Sequence, residues 1–407
     1  MAAPVADSGS ARLQQLAERL DAQEGYAEVV ASLTAGHAAA LGGVWGSSCA
    51  LVAANLLQRA PGRLIVVLPR AGEVDDFCDD LAVFSETTAE KFPAWETAPG
   101  ERDIQDEAYG DRLRVLKLLQ SDGLTRSAGS QTSNHRDANQ LKFIVTSIQA
   151  LLQPVQPPEI VARQTKKLNA GDEIAPAILL RWLAENGFQN TTAVELPGEF
   201  SPRGGLIDVF AADWFHPVRI EFFGDTVESI RRFEVSTQRS LETLENIDIT
   251  ALSTGTVARD HFASYLPPNS WFLLVEPHEM QEEGRHYRQR LDRPQEVHDL
   301  DDVLASIYRF PSVTAAAVAS GSMEAECQLR IESVERFSGD ITKVRDELDT
   351  IGTGYDVHII CPTEAEVERL HEIFGATKLA ASGRLHFPIG RLQSGFRLVS
   401  ERIVLVS

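Results

Sequence analysis

A chain of 407 residues with 43% hydrophobic and 24% charged side chains is expected to form two to four globular domains rather than a disordered polymer. Its 59 acidic residues outnumber its 38 basic ones, and the formal net charge of -21 makes DNA an unfavourable main partner for these residues acting alone. There is no bilayer-spanning apolar run, no recognisable signal peptide and no CxxC pair among the four cysteines, so a cytoplasmic protein with reduced thiols, no metal and no membrane partner is expected.

The first 155 residues alternate between helical and strand patterns, which is typical of an α/β domain with a parallel sheet. Continuous apolar runs predict buried strands at 41–44, 64–68 and 143–146. Helices are predicted at 11–22, 26–36, 47–58, 73–84 and 147–152. The polar stretch 120–141 has almost no large apolar groups and is predicted to be a surface insertion in this domain.

A glycine-containing turn follows the first predicted strand, where a phosphate-binding loop of the type GxxxxGK[ST] would precede a helix. The chain reads GVWGSSCA at this position, with Gly43 and Gly46 in the turn. Ser48 stands for the second motif glycine, Cys49 for the phosphate-neutralising lysine, and Ala50 for the hydroxyl that holds magnesium. This degenerate loop therefore lacks the lysine and the magnesium-binding hydroxyl that productive nucleotide hydrolysis requires. The alternative is an ordinary strand-to-helix turn with incidental glycines.

Prolines at 154, 157 and 158 mark a domain boundary, and the pattern of the residues after it is typical of an antiparallel sheet. A strand at 160–166 and a helix at 178–186 are predicted first. Further strands are predicted at 192–196, 199–210, 218–223 and 226–233, the last two joined by a tight Gly224-Asp225 turn. Arg219, Glu221 and Phe223 alternate with apolar neighbours, which predicts that one face of this sheet is polar.

The chain then returns to α/β patterns, with a strand at 271–275 and a helix at 279–291. That strand ends in VEPH, which has the shape of a helicase DExH motif in which Val275 replaces the magnesium-binding aspartate while Glu276 and His278 remain. The last part is predicted to contain a strand at 327–333, a helix at 340–351, a strand at 356–361, a helix at 364–374 and a strand at 402–407. Because this final apolar strand has no polar tail after it, we expect the chain to be part of a longer protein.

Residues 198–242 closely resemble the second domain of the transcription-repair coupling factor (Mfd) family and of its relative UvrB. The resemblance rests on the RGGLIDVF core, the RIEFFGDTVESIRRF hairpin and the TQRS that follows. FPAWETAPGE at 92–101 and IGRLQSGFRL at 389–398 are similar to the first and third domains of the family. The resemblance implies a degenerate RecA-like α/β domain in two parts, 1–155 and 253–318, interrupted by a sheet-rich α+β UvrA-binding domain, 156–252, and followed by a small α/β domain, 319–407.

The function that the resemblance implies is that of a UvrB-mimicking module that recruits UvrA in transcription-coupled nucleotide excision repair and has no ATPase function itself. Full-length family members are ATP-dependent DNA translocases that displace stalled RNA polymerase. ATP and magnesium are expected only in their motor domains, and RNA polymerase and duplex DNA would be bound by domains outside this chain. The alternative function is that of an ATP-dependent UvrB-like helicase with an atypical phosphate loop.

Arg203 is the strongest candidate for contact with UvrA, since it matches a family arginine implicated there. Gly204 and Gly205 leave its guanidinium unobstructed, and an arginine fork is well suited to anchoring an interface. The alternative is an internal ion pair with Glu199 or Asp208.

Supporting candidates lie on the same predicted sheet. Phe200 would add an apolar contact unless it belongs to the core. Further positive charge would come from Arg219, Arg231, Arg232 and Arg239. Gln189 and Asn190 stand where relatives commonly have a basic residue, which predicts a weaker or shifted contact.

Overall fold

The computed structural model describes residues 7–96, 106–125, 141–252, 259–318, 325–334 and 353–407, and the strands in these ranges form four sheets. The fold is mixed α/β, with one parallel sheet and a second, sheet-rich region. None of the helices in the described ranges is both long and apolar enough to cross a membrane. All four cysteines lie in these ranges, and none of them is in a disulfide.

In chain order, the strands are β1 (Ala38–Gly42), β2 (Leu64–Leu68), β3 (Glu90–Phe92), β4 (Phe143–Ser147), β5 (Thr165–Asn169), β6 (Gln189–Asn190), β7 (Glu199–Arg203), β8 (Leu206–Phe210), β9 (Val218–Phe223), β10 (Thr226–Phe233), β11 (Ser240–Leu244), β12 (Asn246–Thr250), β13 (Trp271–Val275), β14 (Ser312–Ala316), β15 (Glu326–Gln328), β16 (Ile331–Ser333), β17 (Asp356–Ile359), β18 (Leu385–His386), β19 (Phe396–Leu398) and β20 (Ile403–Val406). The α-helices are α1 (Asp7–Glu18), α2 (Tyr26–Thr34), α3 (Ser48–Arg59), α4 (Val74–Phe84), α5 (Glu107–Thr125), α6 (Ile148–Leu152), α7 (Pro158–Gln164), α8 (Pro176–Glu185), α9 (Pro277–Arg290), α10 (Leu300–Ile307), α11 (Glu364–Phe374) and α12 (Lys378–Ala381).

The largest sheet has seven strands in the order β15-β1-β14-β13-β2-β4-β3, and all its neighbours are parallel. Both of its faces are buried, which explains the continuous apolar runs. Along β2, Ile65 and Val67 belong to one core cluster, whereas Leu64 and Val66 belong to another. Strands from 38–147 and from 271–328 interleave in this sheet, so segments far apart in sequence share one edge at its carboxyl ends.

A second sheet contains six strands in the order β11-β10-β9-β8-β7-β6, and it is antiparallel except between β6 and β7. Its inner residues, such as Ile207 and Ile220, join the core cluster on one face of the parallel sheet. Lys117 of α5 also reaches this region, where its ammonium contacts Asp213 at 2.6 Å. Strands β5 and β12 form a separate antiparallel pair.

The last sheet has five strands in the order β16-β19-β20-β17-β18. Phe396, Leu398 and Leu405 of this sheet belong to the core cluster on the other face of the parallel sheet. The segment between β18 and β19 contacts α4 and the turn after β1, through hydrogen bonds from Gln393 to Asp80 and between Ser394 and Ser47.

Most predicted elements are confirmed, several within a residue of their bounds, but three predictions in the second sheet region are wrong. The segment 160–166 is mostly helix α7, which starts with a proline that suits the first turn of a helix, and β5 follows it. Residues 192–196 form no strand, because the Glu199 carboxylate holds the amides of Glu195 and Leu196 in a turn. The predicted long strand 199–210 is a hairpin of β7 and β8 that turns at Gly204.

The strand predicted at 41–44 lies earlier, as β1, and the strand predicted at 327–333 is divided between β15 and β16 in different sheets. The helix predicted at 340–351 lies outside the described residues, as does 126–140 of the predicted polar insertion. Residues 120–125 of that insertion belong to α5. The proposed domain boundaries remain predictions.

Candidate partner-binding face and phosphate-loop region

Arg203 lies at the end of β7, beside the turn of the β7–β8 hairpin. Gly204 adopts a left-handed φ of 61°, a conformation that glycine permits and other residues rarely adopt. An added Cβ at Gly204 would meet nothing within 4 Å, so the turn is open to the surroundings. The side chain of Arg203 is exposed in this open position.

The guanidinium of Arg203 makes one backbone contact, since Nη2 donates to the carbonyl of Thr192 at 2.9 Å. The carboxylates named as alternative partners are used elsewhere. Glu199 accepts from two backbone amides, and Asp208 pairs with Arg219. Among the described residues, Arg203 therefore has no carboxylate partner, and its charge is available to another molecule.

Three of the supporting arginines are neutralised within the sheet. Arg219 forms a two-pronged contact with Asp208 at 2.7 and 2.8 Å, and this hydrogen bonding raises the pKa of the arginine further. Arg231 donates to Glu221 at 2.9 Å. Arg232 pairs with Glu242. The polar face predicted for the sheet is present, but most of its positive charge is compensated across neighbouring strands.

The remaining candidates differ in accessibility. Phe200 is 3% exposed and belongs to the core, so its ring does not face a partner. Arg239 is exposed and, in the part of the chain that the structure describes, has no carboxylate partner. Gln189 and Asn190 are exposed on the edge strand β6 beside β7. In the sequence, Phe223 is only one member of an alternating strand pattern, yet at 79% its side chain is the most exposed large apolar one of the described ranges.

The degenerate loop lies between β1 and α3, with positive φ values at Gly43 and Gly46. In a working loop, backbone amides at the start of the helix bind phosphate. In this chain the amides of residues 48–50 each donate to the carbonyl three residues earlier, at 3.0–3.2 Å. The hydroxyl of Ser48 also closes the turn by donating to the carbonyl of Trp45 at 2.6 Å. These three amides at the start of the helix are thus bonded within the turn.

Part of the connection between β18 and β19 of the five-stranded sheet packs on the turn of the degenerate loop. The amide of Ser47 donates to the hydroxyl oxygen of Ser394 at 3.0 Å, and the amide of Ser394 donates back to Oγ of Ser47 at 2.9 Å. The amide of Gln393 donates to the Asp80 carboxylate at 2.7 Å. An added Cβ at Gly46 would lie 2.3 Å from Oγ of Ser394, which shows how closely the segment approaches. We call residues 391–394 the covering segment.

A cavity of about 270 Å³ remains beside the covering segment, where the carboxyl ends of β1, β2 and β13 meet. Gly46, Cys49, Val275 and Glu276 all line it, so the structure brings together residues from both degenerate motifs, while Gly43, Ser48 and Ala50 do not line it. Glu276 adopts a left-handed φ of 43°, and its carboxylate accepts the amide of Ala317 at 3.0 Å.

The electrostatics of this cavity are opposite to those of a phosphate site. Cys49 is 1% exposed, and burial, followed by the nearby Glu276 carboxylate, raises the pKa of its thiol, which is therefore neutral. The other acidic lining residues are Glu73, Asp76, Asp80 and Glu279. Arg70 lies nearby, but its guanidinium is paired with Glu73, Glu279 and Glu283. These residues do not fit a bound triphosphate, whose charge they would repel.

Asp80 is the buried carboxylate that joins the cavity to the covering segment. It is 4% exposed, and burial raises its pKa to about 6, although the hydrogen bonds from Ser47 and from the amide of Gln393 lower it in part. No group of three or more histidine, cysteine, aspartate or glutamate residues within the described ranges could hold a metal ion.

Comparison with known proteins gives matches at two levels. Residues 167–254 match the family model of the UvrB interaction domain. A segment of 201 residues, 49% of the chain, is 34% identical to the transcription-repair-coupling factor of Mycobacterium tuberculosis and covers 15% of that protein. The corresponding protein of Myxococcus xanthus is 31% identical over 231 residues, 55% of the chain and 18% of that protein. That of Escherichia coli is 24% identical over 216 residues, 53% of the chain and 17% of that protein.

The chain is accordingly a mixed α/β protein that contains a UvrB interaction domain, and this domain spans the six-stranded sheet that carries Arg203. It is a homologue of the transcription-repair-coupling factors. The matched segments span only 15–18% of the length of these relatives.

Proposed function

We propose that this chain is a UvrB-mimicking module that recruits UvrA to sites of transcription-coupled nucleotide excision repair. The observation that carries the proposal is the position of Arg203. It is an exposed arginine without a carboxylate partner among the described residues, and it lies within the UvrB interaction domain. A charge that is not compensated internally is available for a bidentate contact with a carboxylate of a partner.

We also propose that this chain has no ATPase function. The support for this is the internal bonding of the loop amides, the neutral thiol of Cys49 and the acidic cavity beside the covering segment. The same features count against an ATP-dependent UvrB-like helicase, because such an enzyme needs cationic and magnesium-binding groups around the phosphates. In this proposal, ATP and magnesium act in other parts of a coupling factor.

Contacts with RNA polymerase and duplex DNA are likewise assigned, within this proposal, to other parts of a coupling factor. The net charge of -21 supports that assignment, since the electrostatic part of DNA binding requires cationic side chains at the phosphates. A protein partner with acidic groups around an apolar surface suits the six-stranded sheet better than a nucleic acid does.

The experiment that tests the proposal measures two properties of the purified chain together. Binding to immobilised UvrA from the same organism is followed by biolayer interferometry, and ATP turnover is measured with and without UvrA. We expect saturable binding and no turnover by the chain alone. Turnover by the chain without binding to UvrA would contradict the proposal and favour the helicase.

A further inference from the structure

Phe223 stands at the end of β9, directly before the Gly224-Asp225 turn. Its side chain is 79% exposed, although the preceding Phe222 is 8% exposed and belongs to the core. A phenylalanine ring carries a large apolar surface whose removal from water is favourable, and aromatic residues are frequent anchors of protein interfaces. An exposed aromatic ring beside a tight turn is therefore a contact candidate that the sequence alternation alone does not reveal.

The strand register places Phe223 and Arg203 on one face. Arg203 pairs with Leu206 across β7 and β8, and Leu206 pairs with Glu221 across β8 and β9. Directly opposed residues in a sheet point to the same side, and residues two apart on a strand do so as well. Phe223 is two residues from Glu221, so the four residues Arg203, Leu206, Glu221 and Phe223 share a surface that we call the tip face.

The two hairpin turns lie side by side at this end of the sheet. The amide of Phe222 donates to the carbonyl of Gly205 at 2.8 Å, which aligns the β7–β8 turn with the end of β9. Gly204 and Gly205 add no side chains at these turns, and Leu206, which lies between Arg203 and Phe223 on this face, is half-buried. One partner surface can therefore contact both side chains.

The charges on the tip face define the partner that it fits. Glu221 accepts from Arg231 at 2.9 Å and from Ser229 at 3.1 Å, so its charge is compensated. Arg203 has no such carboxylate among the described residues. The tip face thus presents one available cation and one exposed aromatic ring, which complement a carboxylate placed next to an apolar pocket.

We propose that Arg203 and Phe223 form a two-point anchor for UvrA, in which the guanidinium pairs with a carboxylate and the ring of Phe223 enters an adjacent apolar pocket. This inference rests on the proposed function and adds to it the chemistry of the surface on UvrA. Phe223 is the second anchor, and Leu206 lies between the two on the same face.

The test compares two exposed phenylalanines of the full chain. Phe223→Ala removes the proposed anchor. Phe215→Ala is the matched control, since Phe215 is 72% exposed, lies in the loop between β8 and β9 at the other end of the sheet, and stacks on the Arg114 guanidinium at 4.3 Å. Binding to purified UvrA is measured by biolayer interferometry, and the thermal unfolding of both variants checks that the fold is retained.

We expect Phe223→Ala to weaken binding about 10- to 100-fold, Phe223→Leu to restore part of it, and Phe215→Ala to stay within about twofold of the unaltered chain. Equal binding by the unaltered chain and Phe223→Ala would overturn the two-point anchor and leave the recruitment of UvrA standing. A loss of the same size with Phe215→Ala would also overturn it. If the unaltered chain does not bind UvrA, the proposed function fails, and the anchor fails with it.

Discussion

The buried carboxylate of Asp80, which is 4% exposed, makes the stability of the chain depend on pH. Burial raises its pKa from 3.8 to about 6, so the folded chain favours the neutral form of this side chain. A shift of this size corresponds to about 3 kcal/mol. Because the folded-state pKa is raised, the contribution of the group to stability is fully present below pH 3.8 and is lost as the pH rises through 6.

Replacing Asp80 with asparagine removes the charge and keeps an oxygen that can accept the amide of Gln393. The free energy of unfolding of Asp80→Asn should therefore exceed that of the unaltered chain by up to about 3 kcal/mol at pH 8, and by less than about 1 kcal/mol at pH 4. Urea unfolding of both chains at the two pH values measures this difference in the free energy of unfolding. The effects of the other carboxylates cancel, because both chains contain them.

Asp292→Asn is the matched control, because Asp292 is exposed and the same replacement there should change the stability little at either pH. A gain from Asp80→Asn that has the same size at both pH values would refute the assignment of the effect to a buried carboxylate. The absence of any gain at pH 8 would refute it as well.

Arg219→Met leaves the carboxylate of Asp208, which is 2% exposed, without its ion-pair partner. Urea unfolding should show that the free energy of unfolding falls by about 3–5 kcal/mol. The double variant Arg219→Met, Asp208→Leu should recover most of the lost free energy, because it removes both charges. Gly46→Ala places a Cβ 2.3 Å from Oγ of Ser394, so hydrogen–deuterium exchange should show increased deuterium uptake in the covering segment. Gly72→Ala is the control and should leave this uptake unchanged, because a Cβ at Gly72 would meet no atom within 4 Å. Millimolar ATP with magnesium should leave the melting temperature of the unaltered chain unchanged, because the loop amides are already bonded; a rise of several degrees would contradict this.

The elements that the sequence predicted well are those whose pattern is local. The run Leu64–Leu68 is buried on both faces, and the helix Glu364–Phe374 and the hairpin around Gly224 have the predicted bounds. The errors occurred where a local pattern was overruled by a particular residue. Pro158 is the first residue of helix α7, which continues through most of the segment predicted as the strand 160–166. The carboxylate of Glu199 stabilises a turn at 195–196, where another strand was predicted.

The candidate site was less predictable, because the partners of its charged residues come from other strands. The sequence does not show that Arg219 pairs with Asp208, since this depends on the register of β8 against β9. It also gives no sign that Ser394 contacts Ser47, which lies 347 positions earlier. The missing lysine of the phosphate loop was visible in the sequence, whereas the covering segment and the acidic cavity required the structure.

The central claim, that an available arginine on the UvrB interaction domain recruits UvrA, is tested most directly by reversing that charge. Arg203→Glu is compared with Arg369→Glu, which makes the same change of charge at an exposed arginine of α11, far from this domain in sequence. Binding of each variant to UvrA is measured by biolayer interferometry, with thermal unfolding as the check on folding. We predict that Arg203→Glu loses binding by at least about 100-fold while Arg369→Glu binds as the unaltered chain does. Undiminished binding by Arg203→Glu would contradict the account.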